Sequence, residues 1–155
     1  MIKNFLNTKN MLRLLSFWPA YFVSGISIKS FNDDVTQIVV GLKTRPWNVN
    51  YVGTHYGGSL YSMCDPFFMF ILLHHLGKDH IVWDKGAEIN FLKATPKPVH
   101  AVFEISPEEI ATIRKMAESG EKVLPTFTVF VVDDEGNQIA QVKKILYVRK
   151  KPKKA

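Results

Sequence analysis

Residues 57–76 read GGSLYSMCDPFFMFILLHHL and form the most apolar stretch of the 155-residue chain. Apolar side chains would occupy every face of a helix built from this stretch, which is typical of a helix buried all round. Gly57-Gly58 opens the stretch, and Gly77 follows it as a natural C-terminal stop. The run is too long for a buried strand. The sequence therefore predicts one long central helix over residues 57–76.

Extended segments lie on both sequence sides of this helix. Apolar–polar alternation and turn residues predict strands at residues 24–31, 35–42, 81–94, 99–105, 125–132 and 138–149. Ser106-Pro107-Glu108-Glu109 predicts the start of a short helix that ends near Ser119, because Ser106 can cap it and Glu109 completes a capping box. One apolar helix with strands before and after it predicts an α+β fold in which an antiparallel sheet wraps around the helix.

A further helix is predicted at the N-terminus, over residues 4–18. Its apolar residues fall near one stripe: Phe5, Met11, Leu12, Leu15 and Trp18. The stripe is explained either by packing on the same domain or a partner subunit, or by contact with a membrane surface. The segment loosely imitates a signal peptide, but Arg13, Trp18 and Pro19 interrupt the apolar run and no small-residue cleavage site follows.

Composition suits a single domain, predicted over residues 1–149, with residues 150–155 as a basic tail. The net charge is +6, and residues 149–154 hold five of the positive charges. Such a tail is either a solvated end or a region attracted to phosphates. The single cysteine, Cys64, excludes an intrachain disulfide and fits a cytoplasmic location. No apolar run is long enough to span a bilayer.

Several chemistries lack their sequence signatures. The chain has no P-loop, dinucleotide fingerprint or zinc motif, and Ser59 does not lie in a nucleophile elbow. His74-His75 has no partner at metal-ligand spacing. Neither a metal, a cofactor nor a nucleic-acid partner is therefore expected.

The order of elements, together with Gly-Thr-His-Tyr-Gly-Gly-Ser-Leu-Tyr-Ser-Met-Cys-Asp-Pro at residues 53–66, resembles the hotdog-fold thioesterases. The similarity covers nearly the whole chain, and also includes Phe-Trp-Pro at residues 17–19, Ile-Val-Trp-Asp-Lys at 81–85 and Pro-Thr-Phe-Thr at 125–128. The resemblance implies a hotdog fold with an extra N-terminal helix and hydrolysis of acyl-CoA thioesters. Coenzyme A would enter only as part of the substrate, and the protein would be a homodimer or a dimer of dimers.

Relatives such as the phenylacetyl-CoA thioesterases carry a His-Gly-Gly sequence followed by a carboxylate on the central helix. Tyr56 occupies the histidine position of this pattern, and His55 lies one residue earlier. The resemblance implies a catalytic set of Asp65, His55, Tyr56, Asn50, Gly57 and Gly58. Asn48 competes with Asn50 for the asparagine that often precedes the pattern. The substrate contacts implied are Asn48, Ser59, Ser62, Phe68, Met69, Lys85, Glu88 and Asn90.

The chemistry of thioester hydrolysis also points to this segment. Free N–H groups of Gly57 and Gly58 at a helix start can stabilise an oxyanion. Asp65 is costly to bury among apolar residues without a partner, and burial would raise its pKa towards that of a general base. The alternative is that the helix breaks at Asp65-Pro66 and Asp65 caps its second half. Two other functions stay open: a non-catalytic acyl-CoA or fatty-acyl binding module, and a hotdog dehydratase.

Overall fold

The computed structural model describes residues 8–152. Its elements in chain order are α1 (Thr8–Leu15), α2 (Pro19–Ser24), β1 (Ile26–Phe31), β2 (Gln37–Leu42), α3 (Gly57–Ser62), α4 (Phe67–Leu76), β3 (His80–Phe91), β4 (Val99–Glu104), α5 (Pro107–Ala117), β5 (Thr126–Asp133) and β6 (Gln138–Lys150).

The six strands form one antiparallel sheet in the order β1-β2-β4-β5-β6-β3. Strand β3 is twelve residues long, lies at one edge and pairs only with β6. Alternate residues of β6 are buried because one face of the sheet packs against the helices. The predicted α+β architecture with six strands is confirmed.

The central helix is present, but it is interrupted between Ser62 and Phe67. Pro66 explains the break: it lacks an N–H group, and in a helix its ring would clash with the carbonyl four residues earlier, that of Ser62. Helix α3 ends at Ser62. The expectation of one continuous helix over residues 57–76 is therefore corrected. The second half, α4, fills the core, where the rings of Phe67 and Phe103 lie 5.0 Å apart.

The N-terminal helix ends earlier than predicted. Helix α1 ends at Leu15, and a second helix, α2, continues to Ser24, so that β1 begins only at Ile26. Leu12 and Leu15 are buried, which shows that the apolar stripe of α1 packs on its own domain. Phe5 lies outside the described residues. Gly25 ends α2 with a φ of 78°, a conformation that glycine adopts without strain.

The C-terminal segments match the sequence closely. Helix α5 starts at the predicted capping box, in which Ser106 and Glu109 each bond the other's backbone N–H. Strand β6 continues to Lys150, whose ammonium pairs with Glu118. The N–H of Lys151 donates to the carbonyl of Asp79 at 2.8 Å. The start of the predicted solvated tail is therefore tied to the domain.

Replacing Ser106 with alanine removes the cap acceptor of α5 and should lower the free energy of unfolding by about 1 kcal/mol. Urea denaturation followed by circular dichroism measures this difference. Ser119→Ala, just beyond the end of the same helix, is the matched control and should change stability less. Equal effects of the two substitutions would contradict the capping role.

Candidate active site

The break in the central helix places Asp65 in a turn. The N–H of Cys64 donates to the carbonyl of Tyr61 at 2.8 Å, and that of Asp65 donates to Ser62 at 3.2 Å. Pro66 occupies the N-cap position of α4, which has no side-chain cap. The alternative prediction of a helix break at Asp65-Pro66 is therefore confirmed, but the capping role that it gave Asp65 is wrong, because the Asp65 side chain points to another partner.

That partner is Lys144, a lysine on the buried face of β6. Its ammonium lies 2.6 Å from Oδ1 of Asp65 and 3.0 Å from Oδ1 of Asp84 on β3. The lysine side chain is 1% exposed, whereas the carboxylate side chains of Asp65 and Asp84 are 42% and 18% exposed. The cluster thus has a buried cation with one carboxylate open to solvent. The sequence predicted an Asp65 enclosed among apolar residues. The structure shows it half-buried instead.

Electrostatics keep the lysine charged. Burial alone would lower the pKa of Lys144, but hydrogen bonds and charge attraction from Asp65 and Asp84 outweigh it and raise that pKa. The pKa of Asp84 is raised by burial, and the nearby charge of Asp65 adds to the rise, while Lys144 opposes it. Lys144 therefore screens the two carboxylates from each other.

Two tyrosines surround the cluster. The hydroxyl of Tyr21 on α2 donates to the backbone carbonyl of Asp65, which ties α2 to the turn. Burial, followed by the charges of Asp65 and Asp84, raises the pKa of Tyr21, so this hydroxyl keeps its proton. The ring of Tyr61 lies 5.2 Å from the ammonium of Lys144, within cation–π range.

The two glycines begin α3 as predicted, and aromatic rings cover both. A methyl group added at Gly58 would lie 2.3 Å from Cε1 of Tyr56, and one at Gly57 would lie 3.0 Å from Cζ of Phe91. Within residues 8–152, no acceptor contacts the N–H groups of Gly57 or Gly58. A cavity of about 180 Å³ lies beside this helix start, and Tyr56 and Ser59 line part of it. Asp65 does not share this helix with the glycines, because α3 ends at Ser62.

The asparagines of the preceding loop have structural partners. The Asn50 side chain donates to Thr54 Oγ1 and the His55 carbonyl, and accepts from the N–H groups of Val52 and Thr54. The Asn48 side chain donates to the carbonyls of Ser24 and Lys43, and accepts from the N–H of Arg45. Both amides are satisfied inside the protein. Both side chains hold the loop in shape, and their expected catalytic and substrate-binding roles stay predictions.

His55 is also engaged in the loop region. Its Nε2–H donates to the carbonyl of Lys97 at 2.7 Å, since a carbonyl oxygen only accepts. Burial lowers the pKa of His55, although the bond to Lys97 partly opposes this shift, so the imidazole is neutral at pH 7. No contact within residues 8–152 joins its ring to Asp65. The role of His55 as a base stays a prediction without geometric support.

The expected substrate-contact residues divide into two groups. The Ser62 hydroxyl donates to the Gly58 carbonyl at 2.8 Å, and the buried Phe68 stacks on Phe127 with ring centroids 4.8 Å apart. Met69 is partly buried against the core and Ser59 is buried. Phe68 and Met69 pack in the core, and their expected contact with an acyl chain stays a prediction. The exposed group lies on the edge strand β3: Lys85, Glu88 and Asn90.

Sequence reasoning missed Lys144, Asp84 and Tyr21. A signal for Lys144 was present, because it lies in the same alternation phase as Val142, Leu146 and Val148, all of which are buried. A lysine in an apolar phase requires an anionic partner. The pairing of β3 with β6 places Asp84 opposite Leu146, on the inner face of the sheet. Cys64, in contrast, is a buried core residue, and burial raises the pKa of its thiol to about 12.

Comparison with known proteins identifies the family. Residues 8–148 match the family described as a domain of unknown function, DUF4442, and the chain belongs to this family. No curated protein matches the sequence. None of the helices described between residues 8 and 152 has the length and apolarity needed to cross a membrane.

Solved structures share the fold at low sequence identity. PA5026 from Pseudomonas aeruginosa, a protein of unknown function described as a probable thioesterase, is similar with a TM-score of 0.80 and 15% identity, over 92% of this chain and 96% of that one. Thioesterase HI1161 from Haemophilus influenzae gives a TM-score of 0.67 and 14% identity, over 96% and 94%. The protein smu.793 from Streptococcus mutans, bound to acetyl CoA, gives a TM-score of 0.56 and 15% identity, over 83% of this chain and 91% of that one. The predicted hotdog fold is confirmed.

Replacing Lys144 with methionine should lower the free energy of unfolding by roughly 3 kcal/mol, because it leaves two carboxylates without their buried cation. Urea denaturation measures the loss. Lys143→Met is the matched control: Lys143 is the neighbouring, exposed lysine, and its replacement should cost less than about 1 kcal/mol.

The same pair of proteins gives a pH test. Since its partners raise the pKa of Lys144, the lysine contributes its full stability below the pKa of a free lysine, about 10.4. The contribution is lost only as the pH rises through the higher folded value. The stability difference between wild type and Lys144→Met should thus be equal at pH 7 and pH 9. A difference that vanishes at pH 9 would contradict a charged, paired Lys144.

Proposed function

We propose that this protein hydrolyses an acyl-CoA thioester and that Asp65 acts at the thioester carbonyl carbon. One observation carries the proposal. Asp65, at the break of the central helix, has a solvent-accessible carboxylate that is held by the buried ammonium of Lys144. Holding two charged groups together in this way costs desolvation energy. A pre-oriented carboxylate is what nucleophilic or general-base attack requires.

Asp65 has two chemical routes. It either removes a proton from a water molecule that attacks the carbonyl carbon, or attacks that carbon directly to form an anhydride that water then hydrolyses. In both routes the negative charge develops on the carbonyl oxygen and the coenzyme A thiolate leaves. We assign the carbonyl oxygen to the N–H groups of Gly57 and Gly58, which have no acceptor within the described chain.

Structural relatives support the substrate class. One similar protein was solved with acetyl CoA, and others are described as thioesterases. Coenzyme A in this proposal is part of the substrate, and no separate cofactor is needed. A coenzyme A ester is a cytoplasmic metabolite, so the proposed location is the cytoplasm.

The proposal includes a homodimer, or a dimer of dimers. Strand β3 is a long edge strand with one unpaired side, and related hotdog domains join such edges across a two-fold axis. Residues 87–91 of β3 are mostly exposed in the single chain. In the dimer, Asp65 of one chain and residues 85–91 of the other would border the same pocket.

A second function is favoured by one observation. His55 is engaged with the Lys97 carbonyl, and Tyr56 stands where relatives have a histidine. A hotdog domain that retains the pocket but lacks a catalytic histidine would bind acyl-CoA without hydrolysing it. Thiol release and acyl-CoA binding, measured with the same protein, separate the two functions.

Asp65→Asn should lower kcat for release of coenzyme A by roughly 10²–10⁴-fold, the usual contribution of a general base. Asparagine keeps the size of the side chain and removes the carboxylate. Thiol release from acyl-CoA substrates of different chain lengths measures the loss. Asp79→Asn, at an exposed turn, is the control and should keep full activity.

Full activity of folded Asp65→Asn would overturn the mechanism. Tight binding of acyl-CoA by wild-type protein without any thiol release would establish the binding module instead.

Light scattering at micromolar protein concentration tests the assembly. The expected mass is twice, or four times, the 17.7 kDa of the chain. A stable monomer that hydrolyses the substrate would show that the pocket does not need a second subunit.

A further inference from the structure

An exposed aromatic surface lies on the outward side of α2 and includes Trp47 from the loop after β2. It consists of Phe17, Trp18, Phe22, Val23 and Trp47, which are between 56% and 74% exposed. The indole N–H of Trp47 donates to the carbonyl of Val23 at 3.1 Å. The backbone N–H of Phe22 donates to the carbonyl of Trp18 at 2.8 Å. The five side chains therefore belong to one continuous region around α2. Single exposed apolar residues are common on proteins, but a cluster of large ones marks an interaction surface.

The segment that carries this aromatic surface is firmly attached to the domain. Leu12 and Leu15 of α1 and Tyr21 of α2 are buried in the core. The ring of Tyr21 lies 6.2 Å from that of Phe67, and its hydroxyl is bonded to the Asp65 carbonyl. The inward side of α2 is thus packed, and its outward side presents aromatic rings in a fixed arrangement.

The part of the chain that carries the aromatic surface has a net positive charge. Residues 1–64 contain two acidic residues, Asp33 and Asp34, and six basic ones: Lys3, Lys9, Arg13, Lys29, Lys43 and Arg45. Arg45 lies over the Trp47 ring at 6.0 Å, and Arg13 is exposed in the last turn of α1. Asp33 pairs with Lys9, at the opposite end of α1 from Phe17. Arg45 thus flanks the aromatic surface, while the carboxylates of Asp65 and Asp84, whose charges act on Tyr21 of α2, are paired with Lys144.

We propose that the aromatic surface docks the protein on an anionic membrane. Trp and Phe side chains enter the interface between headgroups and acyl chains, and flanking Arg and Lys residues are attracted to anionic lipids. A second copy of the chain fits less well, because a two-fold interface would bring the same cationic rim of both copies together. The proposal is independent of thioester hydrolysis, and it would place the domain where acyl chains concentrate.

Co-sedimentation of the full chain with vesicles tests the docking. The vesicles are phosphatidylcholine alone, or phosphatidylcholine and phosphatidylglycerol in equal parts. Wild-type protein should bind the mixed vesicles, and binding should weaken as salt is raised. The double variant Phe17→Ser with Phe22→Ser should partition at least about tenfold more weakly, since each ring loses its burial in the interface. Met116→Ser with Leu124→Ser, two exposed apolar residues elsewhere, is the matched control and should bind as wild type.

A second variant tests the charge. Arg13→Gln with Arg45→Gln should lose about fivefold in binding per arginine to the mixed vesicles. Hydrolysis of a short-chain acyl-CoA in solution should be the same in all these variants, so loss of docking is distinguished from loss of the site. The proposal is overturned if wild type does not bind the mixed vesicles, or if the Phe17/Phe22 variant binds equally well. It is also overturned if light scattering shows that this variant has lost a subunit, because a second copy would then cover the surface.

Discussion

The structure depends on one buried cation. Lys144 on β6 lies between Asp65, at the break of the central helix, and Asp84, on the edge strand. Tyr21 connects α2 to the same turn through the Asp65 carbonyl. Strands β6 and β3 and the turn of the central helix therefore meet at a single ammonium group, and its desolvation must be offset by both carboxylates together. The exposed carboxylate of Asp65 is positioned by this arrangement rather than by the helix.

The break in the central helix makes that arrangement feasible. Pro66 ends α3 at Ser62 and leaves residues 63–66 in a turn, from which Asp65 reaches across to β6. The second half of the helix, α4, then supplies the core, including the Phe67 and Phe68 rings that pack on Phe103. The two halves of one apolar sequence thus have different roles, a helix start with free N–H groups and a packed core helix.

Much of the fold was predictable from local chemistry. Apolar–polar alternation predicts strands, the capping box at Ser106 predicts the start of α5, and the apolar run predicts a buried helix. The site was less predictable. The Asn48 amide bonds to Ser24 and Lys43, and no local pattern reveals partners that come together only when the loop folds against α2 and β2. Pro66 gave a readable signal for the break, but sequence alone could not choose between a cap and an ion pair for Asp65. For Lys144 a local pattern was informative, because this lysine alternates in β6 with apolar residues that are buried.

The central claim is that Lys144 positions Asp65 for attack on a thioester. Steady-state thiol release by Lys144→Met, measured below its melting temperature and beside Lys143→Met, tests it most directly. The account predicts that kcat of Lys144→Met falls about as far as that of Asp65→Asn, roughly 10²–10⁴-fold, while KM changes little and Lys143→Met stays active. A folded Lys144→Met protein with wild-type kcat would contradict the account.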